Sequence, residues 1–272
     1  MGRRVARDAE RLSEVDPYGE LPGLATVRSD GVLTVTLNRP ERLNAFDGGM
    51  RHSLRHLIDS VAKDDGNRAM ILTGAGRGFC SGADLAASDR RTWPTGRSEP
   101  VFSWCAELLQ LPLPTIAAIN GVAAGGGFGL ALLCDLRICA DSARLIPLWN
   151  KRAIHPDDLV TWTLPRMVGY SRALYWLYKA EDIPLDDALT SGLLLEVVPE
   201  TDLHARAEAI ADEMASGPTT HFALTKQAVL QGLTSTPEQS ALLESWGQDR
   251  ASATNDRAEG CLLYTSPSPR DS

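Results

Sequence analysis

Two glycine-rich segments of this 272-residue chain have the make-up that brings bare backbone N–H groups to a ligand. The first is Gly74-Ala75-Gly76-Arg77-Gly78-Phe79-Cys80-Ser81-Gly82-Ala83-Asp84; the second is Asn120-Gly121-Val122-Ala123-Ala124-Gly125-Gly126-Gly127-Phe128-Gly129. Each follows an apolar, β-like run and leads toward a helix-like run. Glycine leaves the backbone uncovered, so a ligand atom can approach closely. A helix N-terminus adds unpaired donors and a partial positive charge. Two such donors converging on one oxygen make an oxyanion hole, often worth several kcal/mol in a transition state. The alternative is a pair of tight strand-to-helix turns with no chemistry. Neither loop fits a dinucleotide fingerprint, because Phe79 and Leu130 stand where the last glycine would be required, and no Gly-Lys-Ser/Thr phosphate loop occurs.

Carboxylates supply the other candidate chemistry. Pro156-Asp157-Asp158 sets two acids side by side before a helix-like run starting near residue 158. Such acids serve either as general acid/base groups or as an N-cap and first-turn charge for the helix. Trp149 and His155 lie near in sequence; an aromatic can wall an acyl pocket, and a histidine can assist proton transfer or be structural. His52 and His56 are four apart, but Ser53 stands where a zinc-protease pattern needs Glu and no third ligand is evident. They read as a polar helix face, and no metal site is expected. Cys80 has no histidine partner in view and is not expected to act as a nucleophile.

The elements that must position these groups alternate. ATVRS and VLTVTLN are β-like runs joined by Asp30-Gly31, a hairpin signal. Residues 46–63 carry Met50, Leu54, Leu57, Ile58 and Val61 at helical spacing. A buried strand (69–74), a polar excursion (86–101), a short helix (102–110), a strand (115–119) and a helix from about Gly126 follow. DLRICAD and RLIPLW are β-like, 158–168 and 171–180 helical, and LLEVV is a last short strand. From about residue 203 the pattern is all helix, at 203–215, 218–232 and 237–250. Alternation of strand and helix implies parallel strands with helical crossovers.

Composition narrows the function classes. The net charge is −8, with 43% hydrophobic and 23% charged residues. That allows a sizeable core and argues against nucleic-acid or anionic-membrane partners. Residues 111–134 carry no charge and are long enough to span a bilayer. Pro112, Pro114, Asn120 and three consecutive glycines make a buried strand–loop–helix the better reading. Five cysteines without a CxxC motif or secretory signal suit a reduced, cytoplasmic setting.

Three motifs occur in order: Asn38-Arg39-Pro40-Glu41-Arg42-Leu43-Asn44-Ala45, Phe79-Cys80-Ser81-Gly82-Ala83-Asp84-Leu85, and Pro114 to Gly121 followed by the Gly125–Gly127 triplet. Together they resemble the enoyl-CoA hydratase/isomerase (crotonase) superfamily from about Leu24 to Gly260. The resemblance implies an α/β fold, a spiral of ββα units with a C-terminal helical region, and assembly as a homotrimer or hexamer. It divides the chain into an N-terminal extension (1–23), an acyl-CoA-binding core (24–200), a helical trimerisation region (201–260) and a tail (261–272) that reads as unrelated sequence. It implies an acyl-CoA thioester substrate, with coenzyme A entering as part of that substrate and no separate cofactor. The N–H groups of Ala83 and Gly126 would hold the thioester oxygen. Contacts to CoA and its acyl group would fall on Arg42, Leu43, Ala45, Ser81, Asp84 and Leu85. Arg39, Arg42 and Arg77 are candidate cations for the CoA phosphates, Lys226 is a candidate from the late helices, and the 86–104 excursion with Trp93 and Trp104 would line the acyl pocket.

The resemblance also bears on the reaction. Family hydratases use two glutamates, and the matching positions here are Gly129 and Trp149. What remains is Asp157, near a catalytic Asp of some isomerase branches. It lies eight residues after Trp149, the spacing of a Trp and a nucleophilic Asp in the chlorobenzoyl-CoA dehalogenase branch. Asp158 lies near an Asp used by a β-diketone hydrolase branch. Trp149 is expected as pocket wall. Three functions compete: an isomerase or atypical hydratase/lyase working through a thioester enolate with Asp157 as acid and base; an Asp-dependent hydrolase, dehalogenase or C–C bond hydrolase; and a non-catalytic acyl-CoA-binding protein.

Overall fold

The computed structural model describes residues 13–84, 86, 102–254 and 256. Ser13–Val15 (β1) and Leu24–Ser29 (β2) open the chain, and β2 turns into Val32–Leu37 (β3). Asp30 and Gly31 both take positive φ, +51° and +82°, and pair Ser29 with Val32 across a two-residue hairpin. β1 is antiparallel to β2 and exposed, so the segment read as a solvated extension contributes an edge strand. Gly48–Val61 (α1) is capped by Asp47, whose carboxylate accepts from Met50 N, and buries Met50, Leu54, Leu57, Ile58 and Val61.

From here the chain winds as a spiral. Ala69–Gly74 (β4) enters the large sheet beside β3, and Gly78–Cys80 (β5) then starts a second, small sheet. After Ser103–Leu109 (α2), Thr115–Ile119 (β6) joins the large sheet and Val122–Ala124 (β7) the small one. Gly126–Leu132 (α3) leads to Leu136–Ala140 (β8) in the large sheet and Arg144–Ile146 (β9) in the small one. The large sheet has order β1-β2-β3-β4-β6-β8 and ends in Glu196–Val198 (β10), which pairs parallel with β8. The small sheet is β5-β7-β9, all parallel. Each turn of the spiral thus gives one strand to each sheet, and the expected ββα architecture is present. The two glycine segments, read from sequence as loops, carry β5 and β7. The uncharged stretch 111–134 becomes β6, β7 and a helix of seven residues. Among the described residues no helix is long and apolar enough to cross a membrane.

Val160–Val168 (α4), Tyr170–Lys179 (α5) and Leu185–Thr190 (α6) lie between β9 and β10. α6 has no counterpart in the sequence reading. Its six residues, LDDALT, bury only Ala188, too few turns to show a periodic stripe. Leu203–Ser216 (α7) packs across β4, β6 and β8, and Thr219–Gly232 (α8) pairs with Pro237–Ser252 (α9).

Two side-chain amides, Asn44 and Asn120, hold the loops that follow β4 and β6. Asn44 is fully buried; its Nδ2 donates to Ala75 O at 3.0 Å and Gly78 O at 2.7 Å, and its Oδ1 accepts from Arg39 N at 2.9 Å. Asn120 Oδ1 accepts from Gly74 N at 3.1 Å while its Nδ2 donates to Gly76 O at 2.8 Å. Removing the Asn44 amide strips Ala75 O and Arg39 N of these bonds and leaves Gly78 O only a 3.4 Å contact from Asn120 Nδ2. Asn44→Ala is expected to cost about 3 kcal/mol, read as a lower urea midpoint with unchanged m-value.

Candidate active site

The first loop leaves β5 at Cys80 and runs beside Phe46. Phe46 N donates to Gly82 O at 2.7 Å, and Asp84 N donates to Phe46 O at 2.8 Å. The N–H of Ala83, between these two contacts, meets no acceptor among the described residues. Gly82 has φ +89°, and a Cβ there would fall 2.8 Å from Ala124 O and 3.2 Å from Gly126 N. Only a bare backbone fits, so the first loop lies directly against the turn into α3. Gly126 begins α3 behind Gly125, with no side-chain cap, so its N–H is one of the helix's unpaired donors. The two N–H groups sequence reasoning singled out therefore share one wall of a cleft of about 500 Å³.

Trp149, Asp157 and Asp158 line the same cleft. Trp149 is buried, forming wall as expected, and its Nε1 donates to Asp157 Oδ1 at 2.8 Å. That bond fixes Asp157 on the cleft side. Asp158 is not a helix cap: α4 starts only at Val160, behind Leu159, and no side chain caps it. Asp158 and Leu159 instead hold φ of +50° and +58°, which turns the Asp158 carboxyl inward to 2% exposure. Its Oδ1 accepts from Cys105 Sγ at 3.7 Å, and its Oδ2 has no partner. The space it fills is opened by missing side chains on α3. A Cβ on Gly126 would lie 2.6 Å from Asp158 Oδ2, and one on Gly129 would lie 2.8 Å from Asp158 Cβ. Burial, then the neighbouring Asp157 charge, push the Asp158 carboxyl up to about 7 against the pull of Arg51.

Arg51, on α1, lines the cleft and stacks over Phe46 at 5.7 Å from the ring centroid. Sequence reasoning missed it. The available signal was its place beside Met50, at the margin of the apolar stripe of α1.

The remaining candidates divide. Arg42, Ala45, Ser81 and Asp84 line the cleft. Leu43 does not; its carbonyl accepts from Ser81 N at 3.0 Å and so props the loop from behind. Leu85 and Trp93 lie outside the described residues. Arg39 does not face the cleft as a phosphate cation: it pairs with Asp84 at 3.0 Å and Asp47 at 3.3 Å and binds Ala45 O. Lys226 is likewise engaged internally, 2.9 Å from Asp135 and 3.2 Å from Leu113 O. Arg77 is exposed and apart from the cleft walls. Trp104 is a core residue. His155 is exposed, its Nδ1 2.6 Å from Pro156 O. Cys80 is fully buried and its thiol pushed up to about 12 by burial, so it stays a thiol. His52 and His56 are exposed on α1, and no metal-binding cluster occurs among the described residues. A second hollow, about 600 Å³ between α2, α4 and α8, has Lys226 as its only charged lining residue among those described and is lined by no carboxylate or histidine.

Residues 27–267 match the family described as enoyl-CoA hydratase/isomerase. The chain is 39% identical over 243 residues to the 1,2-epoxyphenylacetyl-CoA isomerase of Escherichia coli, covering 86% of this chain and 92% of that protein. It is 33% identical over 221 residues to 4-chlorobenzoyl coenzyme A dehalogenase-1 of Arthrobacter sp., covering 79% of this chain and 80% of the other. The crystal structure of an enoyl-CoA hydratase from Bacillus anthracis superposes with a TM-score of 0.82 at 32% identity, over 89% of this chain and 95% of that one.

The fit of Asp158 against Gly129 can be measured by a double-mutant cycle. Gly129→Ala is expected to destabilise by about 2 kcal/mol through overpacking. In an Asp158→Gly background the same change should cost under about 0.5 kcal/mol, because the obstructing Cβ is gone. Equal costs in both backgrounds would contradict the packing described.

Proposed function

The chain belongs to the enoyl-CoA hydratase/isomerase family, and from that premise we propose that it isomerises an unsaturated acyl-CoA through a thioester enolate, with Asp157 as acid and base. The thioester oxygen accepts hydrogen bonds from Ala83 N–H and Gly126 N–H. That draws electron density from the α-carbon and raises the acidity of its protons or, in a conjugated enoyl group, of those at the γ-carbon. Asp157, as carboxylate, takes one such proton; the electron pair moves onto the thioester oxygen, where the two N–H groups hold it. The proton then returns from Asp157 to the other carbon of the conjugated system. The double bond shifts, and no atom is gained or lost. Each donor to the oxyanion is worth about 3 kcal/mol, and a placed acid/base about 10² to 10⁴ in rate.

The observation that carries this reading is the Trp149–Asp157 hydrogen bond, at 2.8 Å, in the cleft that also holds the two N–H groups. Gly129 and Trp149 supply no carboxylate at the positions family hydratases use, which favours isomerase or atypical lyase chemistry over two-glutamate hydration. Arg42 and Arg152 are both exposed and both on the cleft wall, which supports a role for them against the CoA phosphates. α8, the Leu233 that follows it, and α9 expose Val229, Leu233, Leu242 and Trp246, which supports their use against neighbouring subunits of a trimer.

A second reading is nucleophilic. The Trp149–Asp157 pair, together with the 33% identity to a 4-chlorobenzoyl coenzyme A dehalogenase, favours direct attack by Asp157 on a halogen-bearing ring carbon of an aryl acyl-CoA. The carbon–oxygen bond of an aryl ester forms, the carbon–halogen bond breaks and halide leaves; water then cleaves the ester at the Asp157 carbonyl, releasing the hydroxyaryl acyl-CoA and restoring the carboxylate.

Exchange of acyl-CoA carbon-bound protons into deuterated water tests the first reading. Asp157→Asn is expected to slow exchange at least about 100-fold, and Trp149→Phe about tenfold by freeing the carboxylate. Full exchange by Asp157→Asn would remove Asp157 from the mechanism. A single turnover in oxygen-18 water separates the readings: label in the Asp157 carboxyl indicates nucleophilic attack, and its absence proton transfer.

A further inference from the structure

We infer that Asp158 is a buried, proton-bearing carboxylic acid whose neutrality leaves Asp157 as the one charged carboxylate of the pair and keeps negative charge away from the oxyanion site. It is a positioning residue, and the inference rests on the role proposed for Asp157.

The surroundings of Asp158 decide its charge. It is 2% exposed, its Oδ2 has no hydrogen-bond partner among the described residues, and its Oδ1 accepts from the Cys105 thiol. The groups facing it come from four elements. The Pro156–Leu159 turn brings Asp157, α1 brings Arg51, α2 brings Cys105 and β5 brings Cys80. α3 brings only the glycines 126 and 129. Burial pushes both thiols up, so they remain neutral and supply no counter-charge. Arg51 pulls toward ionisation, but among the described residues no ion pair reaches Asp158. An anion there would be buried without a partner, and such groups keep their proton instead. Asp157, with one oxygen held by an indole N–H at the cleft wall, is the member placed to carry the charge. Two adjacent carboxyls in unlike environments thus divide into one base and one neutral acid.

The place of Asp158 gives its proton a consequence. Its unpartnered oxygen lies beside Gly126, whose N–H is the donor for the substrate oxygen. Ionised, it would oppose an enolate forming at that N–H. The alkaline limit of the reaction is therefore set by Asp158, and enolate formation falls as its proton leaves near pH 7. The same proton links to folding. An unfolded Asp titrates near pH 4, and here the folded group holds its proton to about 7. The native state binds the extra proton between these values, so the stability it confers is present at low pH and is lost as pH rises through that window.

The backbone allows a clean test, because Asn and Gly both tolerate the φ of +50° at position 158. In the full-length protein, an infrared difference spectrum between wild type and Asp158→Asn should show the C=O stretch of a protonated carboxyl at about pH 6 and lose it by about pH 9. Proton exchange by wild type should fall at least tenfold over that range, while Asp158→Asn and Asp158→Gly stay flat within about twofold. Asp158→Asn should also gain more in Tm at about pH 8 than at about pH 4. No protonated-carboxyl band at pH 6, or the same alkaline fall in both variants, would overturn the inference. The infrared band needs no turnover, so it decides the state of Asp158 even if Asp157→Asn keeps its activity and the proposed mechanism fails.

Discussion

Backbone against backbone, the turn after β5 rests on the turn before α3. Gly82 approaches Ala124 O and Gly126 N so closely that no Cβ fits between them. That contact sets Ala83 and Gly126 side by side on one cleft, and the molecule is arranged around it. The spiral supplies the approach, because alternate strands go to the small sheet and bring β5 and β7 side by side. Asn44, fully buried, and Asn120, half-buried, then lace the loops by amide bonds to Ala75 O, Gly78 O and Gly76 O.

The acids depend on the same constraint from the other side. α3 begins with glycines, and Gly129 lies one turn further along. Without side chains there, the turn before α4 can fold inward and place Asp158 against the helix start. Two consecutive left-handed residues, Asp158 and Leu159, carry local strain of a kind that persists where surrounding packing over-determines it. Asp157 stays at the cleft wall, held by an indole N–H. One sequence dipeptide therefore yields two carboxyls in different dielectric surroundings.

Cationic side chains divide by the same logic of burial. Arg39 and Lys226 are spent on internal carboxylates and carbonyls, where they tie the Pro40 turn to the first loop and α8 to the body. Arg42 and Arg152 remain exposed at the cleft, and Arg51 stacks on Phe46 within it. An acidic chain can thus present exposed arginines beside a ligand cleft, because local placement rather than net charge sets the field a ligand meets.

The alternation of strands and helices, the Asp30-Gly31 hairpin and the two glycine segments were legible in the sequence. Each rests on local chemistry: periodic apolar faces, turn residues with positive φ, and bare backbone before a helix. β5 and β7 were not legible, since three-residue strands inside glycine runs form only when a neighbouring strand supplies the hydrogen bonds. Nor was the separation of Asp157 from Asp158. By sequence both are acids before a helix. Only the tertiary structure sets an indole N–H beside one and the side-chain-free face of α3 beside the other. It likewise decided that Arg39 faces Asp84 while Arg51 faces the cleft, because charge is written in the residue type but its surroundings come from chain segments far apart in sequence.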